Sequence, residues 1–193
     1  MQSSSCIMNK GMILTTYRFR EDDCVHEAWL LLSKFGFKDF EPLDVKMPGL
    51  ILLKVNFDPI KAVEEIINYA KENVWSIKYI LKAIPIEIIT EAKEETIVKT
   101  AELLLNKIEE NKSFRISIDK RESNIKSNFL IEQIAPKIKR KVDLVNYDYV
   151  ILIEIIREIA GISVLKRDQI FVLSKMKKKA IEEMLGNYDK SSM

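Results

Sequence analysis

Histidine is almost absent from this 193-residue chain: His26 is the only one. An imidazole-based catalytic pair therefore has one candidate base. The nearest thiol, Cys24, is two residues away, where helical side chains point apart. Cysteine is equally scarce. Cys6 and Cys24 fit no ligand spacing, and no Cys-x-x-Cys or His-x-x-Glu pair exists, so no metal site is expected and both thiols read as ordinary cytosolic cysteines. The five glycines form neither a P-loop nor Gly-x-Gly-x-x-Gly, which argues against a glycine-rich phosphate loop and against any nucleotide cofactor. No apolar run reaches the roughly 18 residues a membrane span needs. The polar N-terminus lacks the apolar core of a secretory leader, so a cytoplasmic protein is expected.

What the chain does contain is enough apolar residue to build a core (47%) and a dense mixture of charges (31%). The formal net charge is only +2, yet the charge is unevenly spread. Between Lys112 and Lys141 nine basic residues face three acidic ones, a local excess of six. A basic patch on a nearly neutral protein is the electrostatic footprint of phosphate binding.

The first half alternates strand and helix patterns. A strand fits Met12–Phe19. Asp22 or Asp23 then caps a helix with Val25, Ala28, Trp29, Leu32 and Phe35 on one face, ended by Gly36. Phe40–Val45 and Leu50–Val55 read as strands joined through the Pro48-Gly49 turn. Asp58-Pro59 opens a second helix, the carboxylate accepting free N–H groups and the proline having none to leave unpaired. A fourth strand is expected near Ser76–Leu81. The order β-α-β-β-α-β is the ferredoxin-like arrangement, one sheet with both helices on one side. The fold class is therefore α/β (α+β), with a ferredoxin-like unit at residues 11–88, a second α/β unit at 89–170, and a helix and tail at 171–193.

The second unit opens with a helix over Glu91–Glu110. A strand follows with Phe114, Ile116 and Ile118 on one face and Arg115, Ser117 and Asp119 on the other, which turns Arg115 toward solvent or ligand. A helix over Lys126–Ile138 buries Leu130, Ile131, Ile134 and Ile138. Tyr149–Ile156 is almost continuously apolar, the pattern of a central strand covered on both faces, with Ile159–Leu165 as its neighbour. Asp168–Leu185 reads as a basic helix whose Lys175–Lys179 run is structural or auxiliary. Trp29 and Trp75 are expected in packing, Asp143 as a turn cap, and Glu154 as partner to a cation at a strand end. Tyr147 and Tyr149 are packing residues or base-stacking ones.

The Phe114-Arg115 strand, Arg121, Ser127, Val142-Asp143-Leu144, Asp148, Val150–Glu154 and Ala160-Gly161-Ile162-Ser163-Val164 stand in an order and spacing that resembles the THUMP domain. The preceding unit is similar to the N-terminal ferredoxin-like domain that accompanies it. Tyr147 departs from the pattern, where the family often has proline. The resemblance implies a tRNA-binding protein contacting the acceptor end. The family usually carries its modifying enzyme on the same chain. Here the likeness is to the stand-alone type, an adaptor without an active site that assists a separate tRNA-modifying enzyme such as a cytidine acetyltransferase. On that basis Arg115, Lys120, Arg121, Lys126, Lys137, Lys139 and Arg140 are candidate phosphate contacts. No catalytic residue, cofactor or membrane contact is expected. The alternative is a ferredoxin-like protein- or small-molecule-binding domain whose basic stretch is merely surface.

Overall fold

The structure, a computed structural model, describes residues 9–191. Cys6 and most of the tail expected at residues 1–10 lie outside them. The first half comprises β1 (Asn9–Thr15), α1 (Glu21–Lys34), β2 (Phe40–Leu43), β3 (Leu50–Val55), α2 (Pro59–Asn73) and β4 (Lys82–Glu91). The second comprises α3 (Glu94–Leu104), β5 (Ser113–Arg121), α4 (Ser127–Ile134), β6 (Lys141–Val142), β7 (Tyr149–Ile156), β8 (Ile159–Lys166), β9 (Phe171–Val172) and α5 (Leu173–Ser191). The strands form one mixed sheet in the order β2-β3-β1-β4-β8-β7-β5-β6, with β9 beside the start of β4. The β2-β3-β1-β4 portion is antiparallel throughout and is the expected ferredoxin-like sheet. Among the described residues no helix is long and apolar enough to cross a membrane.

Several elements differ from the sequence expectation, each for a physical reason. The fourth strand is Lys82–Glu91 rather than Ser76–Leu81. The backbone N–H groups of Lys78, Tyr79 and Ile80 do not reach a neighbouring strand but donate to the Glu27 carboxylate on α1 at 2.8–2.9 Å. β1 begins at Asn9 and stops at Thr15, because residues 17–20 form a turn closed by the Arg20 N–H on the Tyr17 carbonyl. α1 starts with Arg20 at its cap position and no capping side chain. Asp23 pairs with Arg20 instead, and Glu21 accepts the Gly49 N–H. The first helix of the second half begins at Glu94, since Glu91 still belongs to β4, and it ends in a 3₁₀ turn through Lys107. Ahead of α5, residues 171–172 are spent on β9. Trp29 and Trp75 are each 53% exposed and therefore outside the core.

Three apolar clusters hold the sheet. Helices α1 and α2 cover one face of the first half through Ala28, Leu32, Val63 and Ile66 against Met12, Leu14 and Leu53. Helices α3 and α4 cover one face of the second half through Ile97, Ala101, Leu130 and Ile134 against Phe114, Ile151 and Ile153. The third cluster joins the two halves. Ile13, Leu52, Ile84 and Ile86 of the first sheet pack on Val150, Leu152, Ile156 and Leu165 of the second.

A bulge in β4 lets one strand serve both halves. Gly11 faces Ile86 and Asn9 faces Ile89, so β4 advances three residues while β1 advances two. The extra residue reverses the side-chain alternation. Ile84, Ile86 and Ile89 then contribute to the joining cluster, while Ile88 enters the α3/α4 core. Regular pairing of β4 with β8 covers Ile88–Glu91. Beyond it, the buried Ser163 hydroxyl donates to the Pro85 carbonyl at 2.8 Å and accepts from the Glu87 N–H at 3.0 Å. The Glu87 carboxylate in turn accepts the Val164 N–H at 2.9 Å. Gly161 is required for the same approach: a Cβ there would lie 2.9–3.2 Å from the Ile86 side chain. The Ala160–Val164 motif is thus the joint between the halves.

Ser163→Ala strands a buried donor and a buried acceptor. It should lower stability by about 1–3 kcal/mol, read as a reduced urea midpoint with unchanged slope. Gly161→Ala should cost a similar amount, about 1–3 kcal/mol, through overpacking against Ile86.

Candidate nucleic-acid interface

β5 runs parallel to β7, with Arg115, Ser117, Asp119 and Arg121 opposite Val150, Leu152, Glu154 and Ile156. The alternate residues Phe114, Ile116 and Ile118 pack toward α3 and α4. The polar row read from the sequence therefore exists, on the sheet face that those helices leave free.

Arg115 stands at the head of this row. Its Nη2 donates to the Ser117 hydroxyl at 3.4 Å, and its buried Nε has no partner among the described residues. Its guanidinium lies 4.7 Å from the Tyr147 ring centroid, and the Arg167 guanidinium lies 5.4 Å from the same centroid. Among the described residues neither arginine has a carboxylate partner. One ring thus holds two uncompensated guanidiniums, an arrangement that fixes their planes and leaves N–H groups available to an anion. Tyr147, Arg167, Lys112 and Lys166 share an open groove of about 330 Å³ with Glu109, Asp148, Tyr149 and Asp168.

Two of this groove's three acids, Asp148 and Glu109, are occupied locally. Asp148 accepts the Ser113 N–H and hydroxyl, each at 2.8 Å, and pairs with Lys112 at 3.3 Å. The Ser113 backbone bond is the main reason its carboxyl is held below the ordinary aspartate range. The Tyr149 hydroxyl donates to Glu109 at 2.7 Å, which raises the phenol to about 12. Tyr149 is buried and so belongs to packing. Asp143 caps the following turn by accepting the Val145 and Asn146 N–H groups, as expected. Those bonds, Asn146 first, hold its carboxyl below the ordinary aspartate range.

The other candidate cations fall into three groups. Lys126 at the start of α4 and Lys139 after it are exposed, with no carboxylate partner among the described residues. Lys120 donates to the Ile125 carbonyl at 2.7 Å, and Lys137 pairs with Glu102 on α3. Both of these contacts are at the surface, where an ion pair is weak and exchangeable. Arg121 and Arg140 have structural partners. Arg140 donates to the carbonyls of Ile108, Glu109 and Lys139. Arg121 binds the fully buried Glu154 at 2.6 Å, in the strand's interior rather than at its end. Sequence reasoning missed Lys166 and Arg167 because they come from the last residue of β8 and the one after it, 51 and 52 residues beyond Arg115 by chain but two strands away in the sheet. The clue was Tyr147, a ring placed just before β7.

The model of the THUMP domain matches residues 91–165. No curated protein matches the chain at a significant level. Among solved structures, PH1313 from Pyrococcus horikoshii Ot3 superposes with a TM-score of 0.59 at 23% identity, over 81% of this chain and 54% of that one. TrmN from Thermus thermophilus superposes with a TM-score of 0.53 at 13% identity, over 80% of this chain and 45% of that one. The chain thus spans about half the length of each, and the likeness to both is one of fold.

Burial pushes the Glu154 carboxyl upward, and Arg121 opposes that shift. Arg121→Ala removes the opposing charge. It should destabilise the protein by about 3 kcal/mol at neutral pH, the low end for a broken buried pair because Arg121 is itself 31% exposed. A carboxyl raised by folding favours the native state in acid and loses that advantage as pH rises through its folded value. The deficit of Arg121→Ala should therefore shrink as pH is lowered toward 5, measured by urea titration at several pH values.

Proposed function

We propose, from the premise that residues 91–165 are a THUMP domain, that this chain binds tRNA as a non-catalytic adaptor for a separate tRNA-modifying enzyme. The resemblance favours a tRNA cytidine acetyltransferase as that partner and the acceptor end as the bound part of the tRNA. The observation that carries the RNA reading is the pair of guanidiniums, Arg115 and Arg167, held on Tyr147 without carboxylate partners among the described residues. Planar forks in that state suit phosphate oxygens, and the flanking Lys166 supplies a further point charge. Lys126 and Lys139 extend the phosphate contacts, with Lys120 and Lys137 joining them by exchanging weak surface contacts. Arg121 and Arg140 act by shaping β5 and the start of β6.

The adaptor reading draws on where the reactive groups sit. Cys24 is buried on the inner face of α1, and that burial raises its thiol to about 12, far from a nucleophile's range. His26 lies on the exposed side of the same helix. Neither is in the second half, where the cationic groove lies.

Filter binding to total tRNA tests the reading. Affinity should fall steeply with salt, because each phosphate contact releases counterions. Arg115→Ala and Arg167→Ala should each weaken binding about tenfold, the loss expected for one charge-assisted contact, without moving the thermal midpoint. Removing the 3′ end of the tRNA should weaken wild-type binding further. Equal affinity for wild type and the folded double variant would exclude the Arg115–Tyr147–Arg167 site.

A further inference from the structure

A second groove, of about 550 Å³, lies between α2, the segment leading into β9, and α5. It belongs to neither the matched domain nor the candidate site above, yet it meets that site: Arg167 and Asp168 line both grooves. Its cations come from three separate elements, Lys71 on α2, Arg167 after β8, and Lys175 with Lys179 on α5. Lys175 and Lys179 are four residues apart and so share a helix face.

The groove's acids are fewer. Glu64 accepts the Gln169 side-chain amide at 2.8 Å, which ties it to the groove wall. Asp168 sits at the junction with the first groove. Among the described residues Lys71 donates only to Asn68, and Lys179 reaches Glu183 at 3.8 Å across an exposed surface. Contacts of that kind cost little to exchange for a phosphate. Ile67, Ile170, Val172 and Met176 form the apolar part of the lining, and no aromatic ring is present among the lining residues. A lysine-rich surface without stacking rings, whose two amides Asn68 and Gln169 are engaged by Lys71 and Glu64, suits the sugar–phosphate backbone of a helical stem rather than splayed bases.

Resting on the RNA reading above, we infer that the α2/α5 groove is a second RNA contact. It carries the phosphate backbone of a double-stranded stem onward from the Arg115–Tyr147–Arg167 site, through Lys71, Lys175 and Lys179. The lysine run of α5 then divides by face. Lys175 and Lys179 turn to the groove, Lys177 lies over the Trp75 ring at 5.5 Å, and Lys178 reaches Glu182 at 3.9 Å.

The division provides its own control. Lys71→Gln with Lys175→Gln removes two groove charges, and Lys177→Gln with Lys178→Gln removes two charges from other faces. Binding of each full-length variant to tRNA is measured over a range of salt, with thermal melting as the folding check. The groove variant should lower the slope of log affinity against log salt by about 2, one unit for each lost phosphate contact. The control variant should keep the wild-type slope. Equal slopes for wild type and groove variant, or equal losses in both variants, would overturn the inference while leaving the Arg115 site standing. Absence of salt-dependent tRNA binding by the wild type would overturn both.

Discussion

The shape of this protein depends on one strand having to satisfy two cores. β4 closes the ferredoxin-like sheet on one edge and is paired by β8 on the other. A regular strand could not do both, because its alternation would send Ile88 to the same side as Ile84 and Ile86. The bulge resolves the conflict, and the backbone groups it displaces are recovered by the Ser163 hydroxyl and the Glu87 carboxylate. Everything beyond β8 inherits this geometry. The joining cluster, the free face of β5 and the placement of Arg167 near β9 all follow from how β8 meets β4.

The electrostatics follow a division of labour that composition alone conceals. Basic residues clustered along the chain are not clustered in role. Arg121 neutralises a carboxylate buried between the halves, and Arg140 satisfies the carbonyls at the end of the 3₁₀ turn after α3. Lys112 is half of a pair with Asp148. Arg115 and Arg167 are different because their neighbour is a ring rather than an acid. A quadrupole holds a cation without discharging it, so the guanidiniums stay competent for an incoming anion.

The sequence made the layout of the elements legible where local chemistry decides it. Asp58 caps α2 through the Ile60 and Lys61 N–H groups, and Phe114, Ile116 and Ile118 alternate inward as read. Tyr149–Ile156 is buried along its whole length. It was silent where a distant partner decides. Nothing local shows that Glu27 captures the N–H groups of Lys78–Ile80 and prevents a strand there, or that Trp29 is left on the outer side of α1. The same limit applied to the candidate site. Arg115 was legible from alternation, but its companionship with Arg167 arises only when β8 returns beside β7.

The shared strand also gives the chain a history during synthesis. β1 through β4 can assemble as soon as Glu91 has left the ribosome, yet Ile88–Glu91 find their partners only in Ile159–Ile162. About 70 residues separate the two, which at 5–20 residues per second is roughly 4–14 s of translation. For most of that interval Ile13, Leu52, Ile84 and Ile86 form an apolar sheet face whose cover, Val150, Leu152 and Leu165, has not yet been made. The nascent first half is therefore a sticky, open-edged intermediate by construction, and the interval before β8 arrives is when the protein most needs chaperone protection.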